Sequence, residues 1–242
     1  LPVPQGTKHL DSCVFTASAA ALRRSWESSE AAGAAGTAPA EGFADIRTLR
    51  EARELGLLCR DDAVDRLLDA GAEILDRDAV YIGPRVEIGE NTVVLPGTIL
   101  RGAVKIGRDC EIGPNTMIRD CVIGDNTTVN ASQLNESTVG SRTSIGPFAY
   151  VRPNCRIGDD IKVGDFVEVK NSAIGDGTKI SHLTYVGDSD VGRKVNFGCG
   201  TVTTNYDGFK KYRCTIGDRA FIGCNTNLVA PVTVGEGAYT AA

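Results

Sequence analysis

The stretch that decides the fold spans residues 82–113 and reads IGPRVEIGENTVVLPGTILRGAVKIGRDCEIG. An isoleucine followed by a glycine recurs in it at steps that are multiples of six, at Ile82, Ile88, Ile106 and Ile112. Similar pairs of an apolar residue and a glycine continue as far as Val234 and Gly235. A flat face of six residues produces this period when it has one inward aliphatic side chain and ends in a residue that is small or tolerates positive φ.

Three such faces close into one triangular coil. Neighbouring coils must stack, because a single hexad cannot bury its own apolar side chain. The pattern therefore predicts an all-β chain in which about nine coils are stacked at about 4.8 Å each, as a parallel β-helix. A β-sandwich would instead show turn signals every 8–12 residues or so and an alternation of polar and apolar residues.

Composition divides the chain into three regions. Residues 1–44 are rich in Ala, Ser, Gly and Glu, and we expect a low-complexity linker or disorder there. Residues 45–78 carry apolar residues at helical spacing and are expected to form a helical linker, with Asp61 or Asp62 capping a second helix. Residues 79–242 are assigned to the β-helix domain.

The bulk properties exclude several classes of protein. The net charge of -5 argues against a nucleic-acid partner. No apolar run approaches the roughly 20 residues that span a bilayer, so we expect no membrane association. The eight cysteines form no C-x-x-C pair, which argues against a zinc ribbon or a redox motif. Because no export signal is evident, we expect free thiols and a cytoplasmic location.

Departures from the hexad mark candidate functional segments, and the clearest lies between Gly198 and Ile216, where residues 203–214 read TTNYDGFKKYRC. Five stretches resemble one family closely: IGPFAYVRP (145–153), VGDFVEVKNS (163–172), KISHLTYVGD (179–188), VNFGCGTVTTNYDG (195–208) and FIGCNTNLVAPVTVG (221–235). They resemble the C-terminal acetyltransferase domain of bifunctional N-acetylglucosamine-1-phosphate uridyltransferase/glucosamine-1-phosphate acetyltransferases. The resemblance covers about Leu67 to Ala242.

The resemblance implies a left-handed β-helix that forms homotrimers, with sites between neighbouring subunits. It also implies acetyl transfer from acetyl-CoA to the amine of glucosamine-1-phosphate, for the synthesis of UDP-N-acetylglucosamine, a precursor of peptidoglycan and lipopolysaccharide. The chain has two histidines, His9 and His182. A sugar amine is largely protonated at neutral pH, so a proton acceptor is needed, and histidine suits that task. His182 matches the general base of the family.

Further site residues follow from the same motifs. Arg152 and Lys170 match the cationic contacts to the sugar phosphate; they are eighteen residues apart and should stack on one corner. Tyr185 and Asn196 match further sugar contacts. The positions that match acetyl-CoA contacts are Cys199, Asn205, Tyr206, Cys224 and Ala242. A cysteine beside a thioester would also suggest covalent catalysis, but no second histidine lies near either thiol in the sequence, so we prefer direct transfer.

A basic cluster follows the NYDG turn: Lys210, Lys211 and Arg213. It could contact a ligand phosphate, and a solvated loop is the alternative. Residues 1–66 hold no Gly-rich nucleotide loop, so we expect no uridyltransferase activity and no metal in this domain, since Mg belongs to the uridyltransferase domain. The family continues for further repeats beyond AYTAA, so we expect a β-helix that is truncated at its C-terminus.

Three other functions stay open. An acyltransferase of the same fold could act on another acceptor, such as an amino acid, a sugar nucleotide or an antibiotic. A zinc-dependent hydratase of the γ-carbonic anhydrase type would need three histidine ligands, and the repeat holds only His182. A non-catalytic scaffold would fold without turnover.

Overall fold

The structure is a computed structural model that describes residues 48–242. The predicted linker, residues 1–44, lies outside the described residues. The described residues divide into two units between Ala63 and Val64. Within residues 48–242, no helix is long and apolar enough to cross a membrane.

Within the described residues, one helix, α1 (Leu49–Asp69), precedes the β-helix. Thr48 and Glu51 form a reciprocal capping box at its start: the Glu51 N–H donates to Thr48 Oγ1 at 3.2 Å, and the Thr48 N–H donates to Glu51 Oε2 at 2.9 Å. The prediction that Asp61 or Asp62 caps a second helix is wrong, because both lie inside α1. Asp61 Oδ1 accepts from the neighbouring Arg60 guanidinium and not from a helix N-terminus.

The C-terminus of α1 is set by a glycine in the left-handed region. Gly71 has φ +88, and its N–H donates to the carbonyl of Leu68 at 3.0 Å. The N–H of Ala72 returns to the carbonyl of Leu67, also at 3.0 Å. These two bonds satisfy carbonyls that the last helical turn leaves open. The chain then enters the first coil.

The rest of the described chain forms 27 strands in three parallel sheets of nine strands each. Sheet A contains β1 (Glu73–Ile74), β4 (Val93–Val94), β7 (Glu111–Ile112), β10 (Thr128–Val129), β13 (Ser144–Ile145), β16 (Lys162–Asp165), β19 (Lys179–His182), β22 (Asn196–Phe197) and β25 (Phe221–Ile222). Sheet B contains β2 (Tyr81–Ile82), β5 (Ile99–Arg101), β8 (Met117–Arg119), β11 (Gln133–Asn135), β14 (Tyr150–Val151), β17 (Glu168–Lys170), β20 (Tyr185–Gly187), β23 (Val202–Thr204) and β26 (Asn227–Val229). Sheet C contains β3 (Val86–Ile88), β6 (Val104–Ile106), β9 (Val122–Ile123), β12 (Thr138–Val139), β15 (Arg156–Ile157), β18 (Ala173–Ile174), β21 (Ser189–Val191), β24 (Cys214–Ile216) and β27 (Val232–Val234).

Each coil visits sheets A, B and C in turn, and every strand pairs with the strand three further along the chain. The fold is therefore the parallel β-helix that the hexad predicted, with nine coils. The first coil already includes β1 at Glu73, ahead of the boundary at residue 79 expected from the sequence. A short 3-10 helix, Arg77–Ala79, follows β1 and interrupts the hexad pattern of the sequence in this coil.

The core is a stack of aliphatic side chains along the helix axis. On sheet B it is formed by fully buried residues in register, among them Leu100, Ile118, Leu134, Val151, Val169 and Val186. Burial of this apolar surface provides the main favourable free energy of folding. In the described part of the chain, every buried side-chain nitrogen and oxygen has a hydrogen-bond partner.

The corners bring together residues with positive φ. Most are Asn, Asp or Gly, as the hexad predicted. The corner between sheets A and B is unusual, because Phe148, Phe166 and Leu183 adopt φ values of 59, 55 and 45 in three successive coils. All three side chains are more than half exposed, and the two phenyl rings stack with centroids 5.5 Å apart. We call these three residues the apolar corner strip.

One coil is much longer than the others. The paired residues Ile145 and Val163 are 18 residues apart, whereas Phe197 and its partner Ile222 are 25 apart. The additional residues lie between β23 and β24 and form a loop, residues 205–213. The predicted departure from the hexad is thus located at the corner between sheets B and C.

Candidate functional site

The predicted general base stands at the corner between sheets A and B. His182 ends β19, and its strand partner Asp165 ends β16 one coil earlier. The His182 Nδ1 and Asp165 Oδ1 atoms are 2.7 Å apart, and both side chains are partly exposed. Because an ionised carboxylate can only accept, Nδ1 carries the proton of this hydrogen bond, and in the neutral imidazole Nε2 is then the acceptor. The hydrogen bond from His182 lowers the pKa of Asp165, so this carboxylate stays ionised at neutral pH.

In the coils that follow, strand pairing places three predicted acetyl-CoA positions at the same corner as His182. Ile180 pairs with Phe197, Phe197 with Ile222, and Phe221 bridges to Tyr239. Counting outward from these pairs, one column along the corner contains Asp165, His182, Cys199, Cys224 and Ala242. Adjacent members of the column are separated by about 4.8 Å, the spacing of paired strands. We call these five residues the corner column.

The two predicted phosphate contacts stack at the opposite edge of sheet B. Val151 pairs with Val169, and Arg152 and Lys170 each follow one residue later, so they occupy the same position in adjacent coils. The Arg152 guanidinium donates to Glu168 Oε1 at 2.9 Å. Each cation therefore lies at the corner between sheets B and C, as the eighteen-residue spacing indicated.

Asp188 is a residue that the sequence interpretation missed. It is buried and lies 3.6 Å from the Lys170 ammonium, measured from Oδ2 to Nζ. The side-chain amides of Asn171 and Asn205 both donate to its carboxylate. Burial by itself would raise the pKa of Asp188, but the Asn171 hydrogen bond and the Lys170 charge outweigh it and lower that pKa. The available signal in the sequence was an Asp at a corner position after Val186 and Gly187, where the structure has a left-handed φ of 49.

Tyr185 is directed toward this network by a glycine. A Cβ added at Gly187 would lie 2.1 Å from the Tyr185 hydroxyl oxygen, so the phenol can lie across β20 only because residue 187 has no side chain. The same hydroxyl is 3.4 Å from Asn205 Nδ2. Lys170, Asp188, Asn205 and Tyr185 thus form one connected group, which we call the Asp188 network.

The loop after β23 is an ordered hairpin. Asp207 Oδ1 accepts from the N–H groups of Phe209 and Lys210, each at 2.8 Å. Tyr206 forms an antiparallel bridge to Lys211, and its hydroxyl donates to the carbonyl of Gly208 at 2.6 Å. The loop therefore has a defined conformation that presents Tyr206 and Phe209 to solvent.

The three basic residues predicted as a cluster in this loop interact with different groups of the chain. Arg213 is held by both oxygens of Asp190, at 2.9 and 2.6 Å. The Lys210 ammonium lies over the Tyr212 ring, 4.9 Å from its centroid. The positive charge of Lys211 contributes to lowering the pKa of Asp188. Lys210, Lys211 and Arg213 therefore lie beside different groups of the chain, and contact of this cluster with a ligand phosphate stays a prediction.

The predicted site residues fall into two groups within one chain. His182, Cys199, Cys224 and Ala242 follow one edge of sheet B, while the cations and the Asp188 network follow the other edge. A strand of three residues, about 10 Å long, separates the edges. Asn196 belongs to neither group, because it lies in β22 of sheet A, paired with Lys179 and Phe221.

A metal site is not evident in the described residues, since no three His, Cys, Asp or Glu side chains in residues 48–242 are grouped to hold an ion. The seven cysteines in this range are all free thiols, and Cys13 lies outside it. Cys199 is partly exposed and Cys224 is exposed.

Comparison with known proteins places the chain in a family. The bacterial transferase hexapeptide model matches residues 85–120 and 136–171. The bifunctional protein GlmU of Clostridium beijerinckii is 52% identical over 72% of this chain, and GlmU of Brevibacillus brevis is 52% identical over 71%. GlmU of Clostridium acetobutylicum is 45% identical over 84% of the chain.

The chain spans less than half the length of these curated relatives: 38, 37 and 45% respectively. Among solved structures, LpxA of Bacteroides fragilis, a UDP-N-acetylglucosamine acyltransferase, is similar over 64% of this chain and 67% of its own, at 16% identity and a TM-score of 0.39. The sequence identities and the repeat model agree on one assignment. The chain therefore belongs to the hexapeptide-repeat transferase family, as a member of its GlmU branch.

Proposed function

We propose that this chain transfers the acetyl group of acetyl-CoA to the amine of glucosamine-1-phosphate, with His182 as the general base. One observation carries the proposal: the 2.7 Å hydrogen bond between His182 Nδ1 and Asp165, which leaves Nε2 as a proton acceptor at the corner where the acetyl-CoA positions stack. The GlmU relatives support the choice of substrates.

The reaction needs the substrate amine in its neutral form. His182 Nε2 takes a proton from the ammonium group, the free amine attacks the thioester carbonyl, and the tetrahedral intermediate expels the thiolate of CoA. The nitrogen gives up its second proton as the amide forms, that proton ends on the CoA thiolate, and His182 returns its own proton to solvent. Asp165 holds the imidazole in the required tautomer and stabilises the imidazolium that forms, as a carboxylate does in a hydrolase triad.

The corner column suits the thioester end of acetyl-CoA. Cys199, Cys224 and Ala242 have small side chains, and Gly198, Gly200 and Gly223 flank the two cysteines. Backbone N–H groups at such a corner can stabilise the oxyanion of the intermediate. Tyr206 and Asn205, at the far edge of sheet B, would contact a different part of the cofactor.

The phosphate of the sugar would bind at the cationic edge. Arg152 and Lys170 present a guanidinium and an ammonium in adjacent coils, and these groups favour phosphate oxygens. Glu168 and Asp188 fix the positions of these two cations. Tyr185 and the neighbouring polar groups offer hydrogen bonds to the sugar ring.

We also propose that the active form is a homotrimer. The apolar corner strip exposes two stacked phenyl rings and a leucine beside His182, and exposed apolar patches of this kind commonly mark protein interfaces. A second copy at this strip would bring further residues to the edge of sheet B and help to close a site that one chain leaves divided. Sedimentation of the full chain measures the oligomeric state directly, and a monomer at assay concentrations would contradict the trimer.

The direct test is release of free CoA from acetyl-CoA in the presence of glucosamine-1-phosphate, followed with a thiol reagent. A panel of serine, a UDP-amino sugar and an aminoglycoside serves as the set of competing acceptors. We expect turnover with glucosamine-1-phosphate alone. Turnover with another acceptor but not with this one would assign the chain to a different acyltransferase, and no turnover by folded protein would indicate a scaffold.

The role of His182 is tested by His182→Ala, which should reduce turnover by roughly 10²–10⁴-fold. The matched control is His9→Ala, since His9 is the only other histidine of the sequence. The β-sheet circular dichroism of both variants should equal that of the parent chain. Full activity in His182→Ala would remove this residue from the mechanism.

A further inference from the structure

Two cysteines stand next to each other in the corner column. Cys199 and Cys224 each follow a glycine by one residue, and the register from the pair Phe197–Ile222 places them at the same position in adjacent coils. The Asn225 N–H donates to the carbonyl of Cys199 at 2.8 Å, which ties the two corners together directly. A Cβ added at Gly198 would lie 2.5 Å from the Cys224 nitrogen, so these corners are closely stacked.

The spacing of the two α-carbons is compatible with a bond between the two sulfurs. Paired positions of adjacent coils are about 4.8 Å apart, and Cα atoms joined by a disulfide are usually separated by roughly 4.4–6.8 Å. Both cysteines precede a residue in the left-handed region, Gly200 with φ +76 and Asn225 with φ +55. The two corners therefore turn in a similar way directly after each cysteine.

These two thiols also differ from the other described cysteines in accessibility. Cys224 is exposed and Cys199 is partly exposed, whereas the other five in residues 48–242 are buried: Cys59, Cys110, Cys121, Cys155 and Cys214. Burial raises the pKa of each of these five, that of Cys121 to about 11. A thiol must ionise and be reached by its reaction partner before it can exchange with a disulfide. The accessible pair is therefore the place where such chemistry can occur.

We propose that Cys199 and Cys224 form a dithiol site that reacts with a low-molecular-weight disulfide to give an internal disulfide bond. The Cys224 thiolate attacks one sulfur of the small disulfide, forms a mixed disulfide and releases one small thiolate. The Cys199 thiolate then attacks the Cys224 sulfur and releases the second small thiolate. Two electrons pass from the protein thiols to the small disulfide, and the two thiol protons end on the two released thiols.

The bridge would occupy the corner directly above His182, where the proposed function positions the thioester of acetyl-CoA. The effect of the bridge on acetyl transfer rests on the proposed function, whereas formation of the disulfide does not. His182 lies one coil below Cys199 in the corner column, so oxidation of the pair would change the surface next to the proposed base. The oxidised chain is expected to lose acetyl transfer and to regain it after reduction with dithiothreitol.

The test uses the full chain and oxidised glutathione as the probe. After treatment, free thiols are alkylated under denaturing conditions, and the chain is digested with trypsin and analysed by mass spectrometry. The sequence is favourable because Cys199 lies in the tryptic peptide 195–210 and Cys224 in the peptide 220–242, with no other cysteine in either. Cys214, in the peptide 214–219, serves as the internal control and should remain fully alkylated.

We expect the peptides 195–210 and 220–242 to appear joined, with the mass of the two reduced peptides less two hydrogens. Cys199→Ser should instead accumulate the mixed glutathione disulfide at Cys224. If both peptides of the parent chain carry only glutathione or the alkyl group, with no joined species, the proposal is wrong. Joining to the Cys214 peptide instead would overturn it equally.

A second arm separates this inference from the proposed function. Saturating acetyl-CoA should slow formation of the joined peptides, because it would cover the same corner. If the joined peptides form at an unchanged rate, the dithiol site stands and the placement of acetyl-CoA at the corner column is refuted.

Discussion

Replacement of Asp188 by asparagine is the change whose outcome depends most directly on the structure. The buried carboxylate receives two amide hydrogen bonds, from Asn171 and Asn205, and lies 3.6 Å from the Lys170 ammonium. An asparagine keeps the shape but loses the charge, and its NH₂ group would face a donor. A hydrogen bond to a charged group contributes about 1.5–3 kcal/mol. Asp188→Asn should therefore lower the free energy of unfolding by about 2–3 kcal/mol, and Asp188→Ala by about 3–5 kcal/mol, because it leaves the partners of a buried charge unpaired.

The matched control is Asp190→Asn. Asp190 is two residues away and binds Arg213 through both oxygens, but its side chain is about half exposed. Exposed ion pairs contribute only about 0–1 kcal/mol, so this variant should unfold close to the parent. Urea unfolding at neutral pH, with the slope m compared between variants, measures the differences. Equal stability of the parent chain and Asp188→Asn would refute the reasoning.

The pH dependence of the free energy of unfolding gives a second test of the role of Asp188. The pKa of Asp188 is lowered in the folded chain from its ordinary value near 3.8. Its stabilisation is therefore complete above that ordinary value and is lost as the pH falls through the folded pKa. The difference between the parent chain and Asp188→Asn should be constant from neutral pH down to about pH 5 and should shrink below about pH 4. A difference that grows on acidification would contradict this assignment.

Three further predictions concern other parts of the chain. Asp165→Asn should lower kcat with little change in KM, because it disturbs the tautomer of His182; an unchanged kcat would show that the hydrogen bond is not used. Gly187→Ala should displace the phenol of Tyr185 and raise KM for glucosamine-1-phosphate roughly tenfold, for a steric cost of about 1–3 kcal/mol, whereas an unaltered KM would place Tyr185 outside the sugar site. Leu134→Ala, at a fully buried core position, should reduce the free energy of unfolding by about 2–5 kcal/mol in urea; a loss below 1 kcal/mol would contradict the stacked core.

The predicted site residues show how far motifs reach. Matching by motif predicted site roles for His182, Arg152 and Lys170, and the spacing of the two cations predicted that they occupy the same position in adjacent coils, as the register shows. It did not find Asp188, whose importance lies in contacts with residues 17 or 18 positions away in the sequence. It also grouped Arg213 with the neighbouring lysines, because a sequence shows a charge but not the carboxylate that neutralises it.

The hexad by itself determined the β-helix, its three faces and its number of coils, because each six-residue face repeats one local requirement: an inward aliphatic side chain and a corner that tolerates positive φ. Only the tertiary structure decided which residues become neighbours along a corner. The coils that carry Asp165, His182, Cys199 and Cys224 differ in length, with steps of 17 and 25 residues between paired positions, so the column is set by hydrogen-bonded register and not by a fixed spacing in the chain.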